Sequence, residues 1–272
     1  TGYFIPDDRR LPAGTRYVLL ISSEHGFDSS VESARAEADA AGLTLRVILR
    51  SEYETVGAKL IRDGLVVGAF VSYLMPDPKL DETLNDLLRR GVPAVMIDEH
   101  RPDVDSVVYD NVAVGRLAAR WLFSNPKFKT FLICQRPKFA QPQFEREIGI
   151  RQVLDEMKIR HSNVLWTDVQ GPDFAERISR LMLAGQRFDA AFMHTSGLVE
   201  HLENACRIAG SPVPYIVIIG SQEYLEKRQL SGVALSDSTL GAEAVALLLR
   251  RMANPNGDII KKVIRDGIPF ES

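Results

Sequence analysis

At 272 residues, 45% of them hydrophobic and 25% charged, the chain has an ordinary globular composition. That excludes a fibre or a disordered tract, and the length suits one large or two medium α/β domains of about 150 residues each. A net charge of −3 leaves no broad basic surface for neutralising duplex phosphates, so these residues by themselves are not expected to bind DNA.

The pairs Arg9-Arg10, Arg89-Arg90, Arg250-Arg251 and Lys261-Lys262 read as solvated faces. No apolar run nears the ~20 residues that span a bilayer, and residues 1–14 lack the order of a secretion signal. Cys134 ends an apolar run and Cys206 lies on a helical apolar stripe. Both therefore read as reduced thiols, and the expectation is a cytoplasmic chain with no membrane partner.

In chain order, Tyr17-Val18-Leu19-Leu20-Ile21 is a continuous apolar run, the pattern of a strand buried on both faces of a sheet. Ser29 and Glu32 have capping-box spacing, and Val31, Ala34, Ala38 and Ala41 form a helical stripe that stops at Gly42. The same order repeats as a strand at 45–49, a helix to about Arg62, a strand at 66–71, a helix at 81–90 and a strand at 93–97.

From Val107 it begins again. A helix carries Val114, Leu117, Ala118, Trp121 and Leu122, and a strand at 130–134 precedes a helix with Ile150, Val153, Leu154 and Met157. Then come a strand at 163–166, a helix at 173–183, a strand at 190–193, a helix through Leu202, Cys206 and Ala209, and a strand at 215–219. A helix with Ala244, Leu247 and Leu248 and a strand at 259–264 arrive too late to belong simply to the second set. The chain is expected to cross back.

Strands alternating with helices predict parallel sheets with right-handed crossovers. Ligands of such sheets sit beyond the carboxyl ends of the strands, so the informative loops begin at Ser22, Ser72, Asp98, Gln135, His194 and Gly220.

Several short motifs occur in a telling order: Ile97-Asp98, then Val108-Tyr109-Asp110-Asn111 with Gly115-Arg116-Leu117-Ala118-Ala119, Arg146 ahead of Gly149, Val217-Ile218-Ile219-Gly220, and Asp237 before Leu240-Gly241. On these the chain resembles, over nearly its whole length, the effector-binding region of the lactose-repressor/galactose-repressor (LacI/GalR) family. The resemblance implies a periplasmic-binding-protein-like type I fold: α/β, two doubly wound parallel-sheet lobes joined by about three crossovers near Val108, Asp237 and Asn256. The N-terminal lobe would be 1–108 with 238–257, and the C-terminal lobe 109–237 with 258–272.

The resemblance further implies a homodimeric transcription regulator that senses a carbohydrate-like small-molecule effector by lobe closure. It would meet operator DNA only through an N-terminal helix-turn-helix headpiece that these residues do not contain. It implies no cofactor and no metal.

Sugar sites combine bidentate Asp, Arg and amide groups with aromatic planes. Arg146 stands four positions before Ile150 and seven before Val153, which puts a guanidinium on the buried stripe of its helix, where it needs a partner. Either an effector or Glu145 or Glu147 would serve, and the resemblance implies the effector. By the same resemblance Asp98 contacts effector, and Phe27 and Phe174 are aromatic walls; a turn residue and core residues are the alternatives.

Ser72, Tyr73 and Thr195 end strands and read either as hydroxyl partners or as ordinary loop residues, and His194 stands at the same end of its strand as a hydrogen-bond donor or an ordinary loop histidine. The chain departs from the family in having Thr195-Ser196 where an Asn-Asp pair is usual, and Ser221-Gln222-Glu223 at the acidic effector position. An amide at Gln222 donates as well as accepts, so the expectation there is a ligand more acidic than, or differently substituted from, a neutral hexose.

No nucleophile elbow, phosphate loop or H-E-x-x-H is present, and the histidines have no metal-ligand spacing with the cysteines. The chain is therefore not expected to be an enzyme. The rival reading is a periplasmic solute-binding protein of a sugar transporter on the same fold, which the encoded residues before Thr1 would distinguish by a secretion signal.

Overall fold

The computed structural model describes residues 15–22, 30–72, 78–134, 141–168, 171–265 and 267–270. The elements are β1 (Tyr17–Ser22), α1 (Ser30–Ala40), β2 (Thr44–Leu49), α2 (Ala58–Arg62), β3 (Val66–Ser72), α3 (Pro78–Arg89), β4 (Ala94–Ile97), β5 (Asp105–Tyr109), α4 (Asn111–Ser124), β6 (Phe131–Cys134) and α5 (Gln141–Glu156). They continue with β7 (Val164–Thr167), α6 (Gly171–Leu183), β8 (Ala190–Met193), α7 (Ser196–Ala209), β9 (Tyr215–Gly220), α8 (Gln222–Arg228), β10 (Ser231–Ala234), α9 (Asp237–Ala253), β11 (Lys261–Ile264) and β12 (Ile268–Phe270). The described strands make two six-stranded sheets, ordered β11-β5-β4-β3-β1-β2 and β12-β10-β9-β8-β6-β7.

Parallel pairing runs from β2 through β1 and β3 to β4 and β5, and from β7 through β6, β8 and β9 to β10. This is the expected doubly wound architecture. Strand β12 departs from it by lying antiparallel on β10, at a sheet edge where Pro269 forfeits no central ladder bond. The sequence reading missed β10 and β12, which are short and carry Gly232 and Pro269 instead of an apolar run.

Two-residue periodicity places each sheet between two helical layers. In the second sheet Leu132, Cys134, Ala191, Met193, Ile216 and Ile218 join Phe174, Ile178, Leu198, Leu202 and Cys206 of α6 and α7 in one core. The alternate residues Phe131, Ile133, Ala190, Phe192, Val217 and Ile219 pack on Val114, Ala118, Leu122, Ile150 and Val153 of α4 and α5. In the first sheet Leu19, Ile21, Ala69, Val71 and Met96 meet Leu80, Leu84 and Leu87 of α3. Both cysteines are buried and free, as their apolar surroundings implied.

The helix expected to end near Arg62 is broken into a 3-10 turn at Arg50–Glu52, a wide π turn at Tyr53–Gly57 and α2. The cause is local. The Glu52 carboxylate accepts from the Leu49 N–H at 2.8 Å, and the buried Tyr53 hydroxyl donates to Asp86 on α3 at 2.8 Å, so the chain rolls Tyr53 inward before a regular helix can start.

The chain divides into two compact units, one running to Val107 and resuming at Ser238–Lys262, the other Val108–Asp237 with Val263–Ser272. The last changeover falls within β11, beyond the Asn256 expected from the sequence. Inside the first unit Arg251 clamps the returning segment. It pairs with the buried Asp105 at 2.6 Å and donates to the carbonyls of Pro255, Gly257 and Asp258, while Asp105 accepts from the Ile260 N–H. No described helix is long and apolar enough to cross a membrane.

Candidate functional site

Within the second unit, the carboxyl ends of β6 and β8 and the first turns of α5 converge on a small cavity. Cys134, Gln143, Arg146, Glu147, Ile150, Phe192 and His194 line it. Register explains the grouping: Cys134 pairs with Met193 across β6 and β8, so the next residue, His194, stands at the same sheet edge.

Helix α5 is seated on α4 by a reciprocal contact of two glycines. A Cβ on Gly115 would stand 2.1 Å from the Arg146 carbonyl oxygen, and one on Gly149 would stand 2.1 Å from that of Val112. Only hydrogen fits at either point, so the two backbones approach closely and the position of Arg146 along α4 is fixed.

Arg146 is 8% exposed, and its Nε donates to Asn111 Oδ1 at 2.8 Å. Asn111 is itself buried, and its Nδ2 donates to the Tyr109 carbonyl at 3.3 Å, which settles the direction of its amide. The partner that the buried guanidinium requires is thus partly Asn111, which the sequence reading quoted as a motif residue without giving it this role. Glu147, weighed as an alternative partner, instead accepts from Arg151 at 2.7 Å, and Arg151 lies over Trp166 at 4.1 Å.

His194 is buried, and its Nδ1 is 2.9 Å from the Cys134 carbonyl oxygen. A carbonyl only accepts, so Nδ1 carries a hydrogen there. Burial pushes the Cys134 thiol well above its usual range, so its sulfur is neither a thiolate nucleophile nor a ready metal ligand. Among the described residues no group of three or more His, Cys, Asp or Glu side chains is placed to hold a metal ion.

Thr195 is the N-cap residue of α7, with φ −144° and ψ 154°, yet its hydroxyl makes no cap bond. Capping, the usual employment of such a threonine, is therefore not its role. Gln222 begins α8 as an exposed residue whose amide donates to Glu226 at 2.7 Å. One of the two amide hydrogens is thus used within α8. Phe174 is fully buried in the core facing α6 and α7, which is the core alternative, and it does not line the cavity.

In the first unit, Ser72 ends β3 as a buried residue. Asp98 follows β4 at φ +61°, a left-handed conformation that Asp tolerates better than most side chains but that is still uncommon. Its N–H donates to the Val107 carbonyl at 2.9 Å. Phe27 and Tyr73, both expected at the site, lie outside the described residues.

A polar hollow of about 400 Å³ also opens on this unit, lined by Arg50, Tyr53, Lys79, Asp86, Arg89 and Arg90 among others. Its chemistry is largely internal. Burial alone would raise the Asp86 carboxyl, but bonds from Arg90, Tyr53 and Arg89 outweigh it and hold it low, while burial and the Asp86 bond push the Tyr53 phenol up.

No protein-family model and no curated protein matches the chain. Solved structures do. The transcriptional regulator CelR in complex with cellobiose is 19% identical at a TM-score of 0.77, over 94% of this chain and 84% of that one. A LacI family transcriptional regulator from Enterococcus faecium with bound ribose is 19% identical at 0.74, over 93% and 97%. The transcription regulator CcpA of Lactococcus lactis is 17% identical at 0.74, over 94% and 98%. The chain therefore shares the two-sheet α/β fold of these LacI-family regulators, the fold its motifs implied.

Proposed function

We propose that this chain is the effector-binding and dimerisation region of a LacI-type transcription regulator and that its effector is a sugar or sugar-like molecule. The observation that carries the reading is Arg146, a buried guanidinium held by Asn111 at the strand ends of the second sheet beside His194, Gln143 and Glu147. Similar folds contain cellobiose in CelR and ribose in the Enterococcus faecium regulator, which favours a regulator over a transporter's binding protein.

In this reading Arg146, His194 and Thr195 of the second unit are ligand-binding residues, and Ser72 and Asp98 are those that the first unit offers at its own strand ends. Ligand binding is the signal, passed to operator DNA through a headpiece. The protein works in the cytoplasm, has no catalytic role and acts as a homodimer. Sedimentation at micromolar concentration should give the mass of two chains, and a single-chain mass there would remove the dimer.

A thermal-shift panel of neutral sugars, sugar acids and sugar phosphates tests the ligand claim. A ligand that binds only the folded state raises its melting temperature, by about 2.7 kcal/mol of stabilisation at a hundredfold excess over Kd. A hit that Arg146→Ala abolishes is expected. A hit that survives Arg146→Ala would displace the site.

A further inference from the structure

The cavity at the strand ends of the second unit contains one polar atom that the fold does not use. The Oε1 of Gln143 is buried and has no hydrogen-bond partner among the described residues. A buried acceptor left in that condition costs its desolvation without return, so such groups call for a ligand, a solvent molecule or another specific explanation. Nothing in the helix requires a polar side chain at this position. Pro142 occupies the first turn of α5, where a missing N–H costs nothing, and the neighbouring Gln141 already satisfies Glu145 on the outer face at 3.0 Å.

We infer that Gln143 is a specificity-determining residue of the effector site, presenting Oε1 to a hydroxyl of an uncharged ligand beside the Arg146 guanidinium. This rests on the sugar-effector reading and narrows it. Arg146 stands in the same lining and supplies donors. A neutral acceptor next to a donor matches an alcohol, which gives one hydrogen and accepts another. A carboxylate or phosphate brings only acceptors and would face Oε1 with like partial charge. The cavity is small, so it takes one substituent of the ligand and not a ring.

The test compares the parent with Gln143→Met and Gln143→Leu, using Gln141→Ala as the control. Without ligand, both Gln143 variants should melt at or above the parent temperature, by up to about 2–4 °C, because an unused buried acceptor has been removed. A fall in both would make Gln143 a structural residue and overturn the inference.

Calorimetric titration with ribose and with cellobiose should show binding weakened about tenfold or more in Gln143→Met and unaltered in Gln141→Ala. Sugar binding unchanged in Gln143→Met overturns the inference, as does tighter parental binding of glucuronate or glucose 6-phosphate than of either neutral sugar. If the parent binds neither sugar, the effector reading fails for these probes, while the ligand-free melting temperatures still decide the role of Gln143.

Discussion

Arg146 and Asn111 show how a costly charge is made serviceable. A guanidinium removed from water needs geometry that satisfies it, and the consecutive bonds from Arg146 to Asn111 and from Asn111 to Tyr109 supply part of it. Sequence spacing was enough to bury Arg146 and to demand a partner. It was not enough to find Asn111, which lies 35 residues away and becomes a neighbour only through the packing of α4 on α5. Gln143 was equally hidden, because a glutamine in a first helical turn is ordinary until the cavity beside it is seen. Gln222 stands at a strand-end loop, and its own helix provides Glu226 one turn on as a partner that spacing alone did not single out.

A second residue-scale effect is open to titration. Asp189 accepts from the backbone N–H of Lys129 and Thr130 and from the Thr130 hydroxyl, tying the start of β8 to the approach to β6. The Lys129 N–H bond, reinforced by those of Thr130 against the opposing effect of burial, holds its carboxyl below the usual carboxylate range. A depressed carboxyl favours the folded state above its unfolded value of about 3.9 and loses that contribution as pH falls through the folded value. Asp189→Asn should therefore melt below the parent at pH 7, and the gap should close as pH is lowered through the carboxylate range. A gap independent of pH would show that the charge is not what matters there.

At the scale of elements, the helices and strands follow from apolar periodicity, and each misreading has a specific cause. The central strands announce themselves as continuous buried runs, as where helices cover both faces of the second sheet. Strands β10 and β12 lack such a run, and the segment after β2 looked helical until Tyr53 found Asp86.

The glycines of α4 and α5 are legible only in pairs: Gly115 and Gly149 look like weak points in two helices and are in fact the contact that brings them together. Gly149→Ala should cost about 1–3 kcal/mol, as overpacking of a close contact does, and should weaken any ligand that depends on Arg146 one turn away. Thermal denaturation checks the first part and titration the second. A variant of parental stability would mean that the helices separate without cost and that the interlock does not position the site.

At the scale of the whole molecule, the late helix and strand that fitted no simple second lobe are accounted for by the course of the chain. Helix α9 belongs to the first unit from Ser238, and Arg251 fastens the return through Asp105 and three carbonyls. The order of weak motifs carried the fold, which the solved structures bear out at 17–19% identity. Ligand identity is decided by a few polar side chains at loop starts, where neither periodicity nor composition speaks.

The most direct measurement is therefore a calorimetric titration of the chain with cellobiose and with ribose, the sugars bound in the similar folds, in the parent and in Arg146→Ala. Saturable binding of at least one sugar by the parent, lost in Arg146→Ala while that variant stays folded, is the predicted result. Binding of equal strength in both proteins would contradict the assignment of the site.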